Sequence, residues 1–103
     1  METNVFEQLA KKYDTEKQIE WGKVIVREVK LQLQDSKSKT LIDYGCGTGL
    51  IGLELSEQVD SILLVDSSKE MLEVVKTKIS KRGITNSRVL LSDFTKSNPE
   101  LKN

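Results

Sequence analysis

The residues of this 103-residue chain best placed to do chemistry are three acids and three glycines, Asp43, Gly45, Gly47, Gly49, Asp66 and Asp93. Residues 41–49 read Leu-Ile-Asp-Tyr-Gly-Cys-Gly-Thr-Gly, and a new apolar run begins at Leu50. Glycines at alternate positions permit a tight turn and leave main-chain atoms bare, so a ligand can pack directly on the backbone. Asp66 follows Gly45 by 21 residues. An acid about 20 residues on, at the end of a second strand, is placed to bind the hydroxyls of a ribose. The pair points to an adenosine-containing cofactor. The glycine spacing narrows it further. A dinucleotide turn reads G-x-G-x-x-G, and counted from Gly45 its third glycine falls on Leu50. Asp43 stands two residues before Gly45, where a carboxylate repels a pyrophosphate and suits an ammonium or sulfonium group. Cys46 reads as a small turn residue. Histidine is absent, which removes the commonest general base and the commonest metal ligand, and no metal site is expected.

The elements that must position these residues follow from periodicity. Val5, Phe6, Leu9, Ala10 and Tyr13 share one helical face, and Asn4 with Glu7 predicts a capping box at its start. Thr15 with Gln18 predicts a second box opening a helix to about Gln34, with Ile19, Val26, Val29 and Leu33 as its apolar stripe. Residues 35–39 form a polar loop. Leu41 to Tyr44 is a short strand, the glycine turn follows, and a helix is expected from about Leu50 to Gln58. Ser61 to Asp66 is a continuous apolar run ending in an acid, as in a strand buried on both faces of a parallel sheet. Ser67 with Glu70 predicts the cap of a helix reaching about Lys81, with Met71, Val74, Val75 and Ile79 inward and Gly83 as its stop. Arg88 to Ser92 is a third strand, leading to Asp93. Strand, helix, strand, helix, strand at short spacing implies parallel strands with right-handed crossovers. The carboxyl ends of such strands share one edge, so the glycine turn, Asp66 and Asp93 should converge there. Tyr13 and Trp21 read as packing groups. Lys76, Lys78, Lys81 and Arg82 read as a solvated face with favourable charge at a helix C-terminus.

Composition sets the outer limits. Lys and Arg number 16, as do Asp and Glu, for a formal net charge of zero. No global field draws such a chain to nucleic acid or to an anionic membrane. One cysteine excludes an internal disulfide and fits a reducing compartment. No apolar run approaches the roughly 18 residues that span a bilayer. A cytoplasmic location is expected.

Asp43 to Gly49, read as Asp-x-Gly-x-Gly-x-Gly, resembles the first motif of the class I S-adenosylmethionine-dependent methyltransferases. Ile62-Leu63-Leu64-Val65-Asp66-Ser67-Ser68-Lys69-Glu70-Met71-Leu72 resembles their second, and Val89-Leu90-Leu91-Ser92-Asp93-Phe94 is similar to their third. Lys12-Tyr13-Asp14 and the helix after it look like the lead-in of many small-molecule members. The resemblance implies an α/β, Rossmann-like parallel sheet with helices on both faces, here its N-terminal half of about three strands preceded by two helices. It implies S-adenosylmethionine as cofactor. Asp43 would serve the methionine amino end, and Gly45, Cys46, Gly47 and Gly49 would line the methionyl portion. Asp66 and Ser67 would hold the ribose, Asp93 and Phe94 would frame adenine, and Tyr13 could close over the cofactor.

By the same resemblance the chain divides into a helical lead-in at 1–39, a cofactor-binding half-domain at 40–94 and a polar tail at 95–103. The family's catalytic motif and most of its acceptor pocket lie on later strands, to which nothing in residues 1–103 corresponds. No catalytic residue is therefore assigned, and the 103 residues alone are expected to be inactive. The acceptor is expected to be a small molecule, with neither nucleic acid nor membrane as partner. An alternative is a non-catalytic cofactor-binding or self-associating module, since the family's strand order leaves the Leu41 to Tyr44 edge open to a second chain. A dinucleotide-binding domain is disfavoured by Leu50 and Asp43.

Overall fold

The computed structural model describes residues 3–92. Three parallel strands, β1 (Thr40–Tyr44), β2 (Ser61–Asp66) and β3 (Ser87–Leu91), form one sheet in the order β1-β2-β3. Register pairs Asp43 with Leu64 and Tyr44 with Val65 across the first interface, and Asp66 with Leu91 across the second. The strand ends that carry Asp43 and Asp66 thus lie on one edge of the sheet. This is the Rossmann-like α/β architecture that the motif order implies.

β2 is central because its side chains are apolar on both faces. Ile62 and Leu64 point one way and Val65 the other, and all three are 1% exposed or less. The core gathers around Ile62 and Leu64 with Leu53, Val59 and Val75. Helix α3 (Lys69–Arg82) supplies Leu72, Val74 and Val75 to the interior. Its cap is Ser68, whose Oγ accepts from the Met71 backbone N–H at 3.2 Å. The expected Ser67–Glu70 box is therefore not formed; the cap is the next residue, without a reciprocal bond, and Ser67 is exposed. Gly83 ends α3 in the left-handed region at φ 63°, with the Ile84 N–H returning to Ile79 O at 3.1 Å. That placement follows the sequence reading.

Between β1 and β2 the expected α-helix is instead a 3-10 helix, Gly52–Gln58. Its composition explains the difference. Gly52 is a poor helix former, and the Ser56 hydroxyl donates to Leu53 O at 2.9 Å, offering the backbone a local alternative.

The lead-in consists of α1 (Thr3–Tyr13) and α2 (Glu16–Gln32). Thr15 caps α2 with the full reciprocal box to Gln18. α1 begins at Thr3, so Asn4 falls inside its first turn rather than ahead of it. α2 buries Gly22 and Val26, but Ile19, expected in its apolar stripe, is 36% exposed, and Trp21, expected to pack, is 61% exposed. Polar side chains also tie the lead-in to α3. Lys81 Nζ donates to Glu7 at 2.6 Å, Lys78 Nζ to Asp14 at 2.6 Å, and the Tyr13 hydroxyl to Glu70 at 2.7 Å. Lys76, Lys81 and Arg82 of α3 are the exposed face that the sequence reading expects, with Lys81 and Arg82 in the last turn, and Lys78 alone is largely buried. Lys78 and Lys81 reach the lead-in, and Arg82 reaches Glu54 of the 3-10 helix at 3.0 Å. Among the described residues no helix is long and apolar enough to cross a membrane.

Candidate functional site

The glycine turn leaves β1 with Gly45, Gly47 and Gly49 all at positive φ, 68°, 57° and 77°, a conformation that other residues adopt only at a cost. Their surroundings divide them. A Cβ at Gly45 or Gly47 would meet no atom within 4 Å, so these two present bare backbone to open space. A Cβ at Gly49 would stand 3.0 Å from Leu53 and 3.3 Å from Val75, so that glycine lets the turn close onto the core. The Cys46 N–H donates to Val65 O at 2.9 Å, tying the turn to the end of β2.

Asp66 organises the turn. Its Oδ2 accepts from the Gly47 N–H at 2.8 Å and its Oδ1 from the Ser68 N–H at 2.9 Å. One carboxylate thereby fixes the glycine turn against the start of α3. A carboxylate has about four acceptor sites, so both oxygens keep capacity for hydroxyl donors. The backbone of Ser92 donates to Asp66 O at 3.0 Å, bringing the end of β3 alongside.

Asp43 is the opposite case. No hydrogen bond or ion pair reaches its carboxylate from the described residues. It leans over the start of the 3-10 helix, where a Cβ on Gly52 would lie 2.6 Å from Oδ2. Burial, and then the charge of Asp66, push its pKa above the ordinary carboxylate value of 3.8. Burial and the same two acids push the Cys46 thiol up to about 12. Cys46 also packs against the core. It is a neutral turn residue and not a nucleophile at neutral pH.

A groove of about 490 Å³ opens beside the turn, with Trp21 and Ile25 of α2, Gly47 and Thr48 of the turn, and Tyr13 and Met71 among its walls. The Tyr13 hydroxyl bridges this groove to Glu70, an interaction that raises the phenol pKa. Asp14, next in sequence, accepts from the Thr48 hydroxyl and from Lys78.

Of the residues singled out from sequence, Asp43, Gly45, Cys46, Gly47, Gly49, Asp66 and Ser67 gather at the carboxyl ends of β1 and β2. Asp93 and Phe94, with the tail at 95–103, lie outside the described residues. Sequence reading named Asp14, Ser68 and Lys78 without giving them a place at the turn, and passed over Thr48 and Gly52. Gly52 carried a visible signal, because Gly47, Gly49 and Gly52 form a G-x-G-x-x-G run, so Leu50 does not count against a dinucleotide turn and only Asp43 does. The third glycine of that run does pack helix on strand, with Leu64 at 3.1 Å from the position of a Cβ. The contacts of Asp14 are 34 and 64 residues away in the chain and left no local trace.

The model of a family described as a methyltransferase domain matches residues 35–103. The demethylmenaquinone methyltransferase of Leptospira interrogans is 36% identical over 87 residues, covering 76% of this chain and 34% of that protein. An uncharacterized RNA methyltransferase of Clostridium acetobutylicum is 31% identical over 70 residues, 68% of this chain and 15% of that one. An S-adenosylmethionine-dependent methyltransferase of the same organism superposes with a TM-score of 0.61 at 23% identity, covering 92% of this chain and 38% of its own. The fold is the N-terminal part of the class I S-adenosylmethionine-dependent architecture. The chain belongs to the methyltransferase-domain family. It spans about a third, or less, of the length of these curated relatives.

Proposed function

We propose that residues 40–94 bind S-adenosylmethionine as the cofactor half of a methyltransferase domain, with 1–39 as its helical lead-in and 95–103 leading onward. The observation that carries this reading is Asp43, a half-buried carboxylate beside bare glycine backbone with no cation to answer it among the described residues. Two acids facing one turn favour a ligand that brings positive charge, as the ammonium and sulfonium of S-adenosylmethionine do. Asp43 takes the amino end, and Gly45, Cys46, Gly47 and Gly49 admit the methionyl chain. Asp66 and Ser67 take the ribose hydroxyls, and Asp93 with Phe94 takes the adenine. Methyl transfer needs chiefly an acceptor held in line with the sulfonium methyl, so positioning supplies much of the rate. No residue here is assigned a catalytic role.

The acceptor is a small molecule and the protein is cytoplasmic. The groove beside the turn has the size of a small-ligand site, and Lys76, Lys78, Lys81 and Arg82 of α3 are each paired with a carboxylate. The net charge of zero and the single cysteine agree. Titration calorimetry of the full-length protein tests the cofactor reading. S-adenosylhomocysteine should bind at one site and NAD should not. Heat from NAD alone would return the site to the dinucleotide class. A second reading, self-association through the edge of β1, is favoured by the position of that strand at the sheet margin and by Ile42, 43% exposed. A single monomeric species in light scattering at high concentration would remove it.

A further inference from the structure

The glycine turn is entropically costly to hold in one conformation, since three of its five residues are glycines at positive φ. Asp66 grips it from the sheet side at Gly47. The next residue, Thr48, is 7% exposed, and its hydroxyl donates across to Oδ1 of Asp14. Asp14 sits in the short link between α1 and α2, outside the segment that the family model matches. Its Oδ2 receives Lys78 of α3 at 2.6 Å, and both side chains of that pair are only 12% exposed. The turn is therefore clamped between two carboxylates, one from β2 and one from the lead-in.

We infer that Asp14 is a positioning residue for the cofactor turn, acting through Thr48 and held in place by Lys78. The inference rests on the cofactor reading above. Lys78 pairs with Asp14 where water is scarce, and the Thr48 hydroxyl donates to the same carboxylate, a charge-assisted bond. The lead-in then does more than cover the site. It helps to fix the backbone of Gly47, next to Thr48, on which the cofactor would lie.

The test is the dissociation constant of S-adenosylhomocysteine, by calorimetry on the full-length protein, with melting temperature measured alongside. Thr48→Val keeps the branched shape and removes the hydroxyl, and is expected to weaken binding about five- to tenfold, the scale of one ordinary hydrogen bond. Thr48→Ser restores the hydroxyl and should bind within about twofold of wild type. Asp14→Ala should weaken binding as much as Thr48→Val, and the double variant no more than the worse single one, since both remove one interaction. Should Asp14→Ala fail to fold, the Thr48 pair decides alone. Wild-type affinity in Thr48→Val, or a loss that Thr48→Ser does not rescue, overturns the inference even if melting temperature falls. A wild-type protein that binds no S-adenosylhomocysteine overturns the cofactor reading and this inference with it.

Discussion

The carboxyl ends of β1 and β2 each present an aspartate to the same turn, yet they do opposite things. Asp66, at the end of β2, accepts two backbone hydrogen bonds and joins the glycine turn to α3. Asp43, in β1, is half-buried, receives nothing from the described residues, and is repelled by Asp66. One acid is part of the scaffold, and the other is a cost to it. Such uncompensated acids cluster at binding sites, and the contrast is what the proposed role of Asp43 in holding the cofactor's amino end rests on.

Replacing Asp66 gives the largest expected effect. Asp66→Ala removes two charge-assisted bonds and should lower folding stability by about 3 kcal/mol, read by denaturant unfolding. Binding of S-adenosylhomocysteine should fall below detection, because the turn and the proposed ribose acceptor are lost together. Stability equal to wild type would show that the turn holds itself, and would break the comparison.

Asp43→Asn should move stability the other way while still weakening binding. Burial and Asp66 raise the pKa of Asp43 in the folded state, so there it binds a proton more readily than in the unfolded chain. Stability from this group is then greatest below its ordinary pKa of 3.8 and falls as pH climbs through the raised value. At neutral pH the variant should melt above wild type, and the gain should vanish as pH drops below that ordinary value. A variant that melts lower at neutral pH would mean that Asp43 has a partner after all.

Cys46 gives the smallest effect. With its thiol pushed up to about 12, it should alkylate slowly at neutral pH, and Cys46→Ala should change binding by no more than about twofold. Rapid modification by iodoacetamide would show an electrostatic environment unlike the one these two acids create.

Much of this was legible because it is written locally. A run such as Ser61 to Asp66 has one sensible reading, and the structure returns it with the same bounds. The Thr15–Gln18 box and the Gly83 stop are likewise set within a few residues of chain. Failures came where two local choices compete. Ser67 and Ser68 are both good caps, and the neighbouring Asp66, by accepting the Ser68 N–H, accompanies the choice of the second. The 3-10 helix reads as α-helix by periodicity until Ser56 and Gly52 are weighed against it.

What the sequence determined by itself was the strand order along the chain, the turn that needs left-handed backbone, and the acids at the ends of β1 and β2. Those depend on burial pattern and on what glycine alone can do. Only the tertiary structure decided which acid is satisfied and which is not, and that Asp14 reaches the turn through Thr48. Hydrogen-bond partners 19 to 64 residues apart are fixed by packing, which no spacing rule encodes.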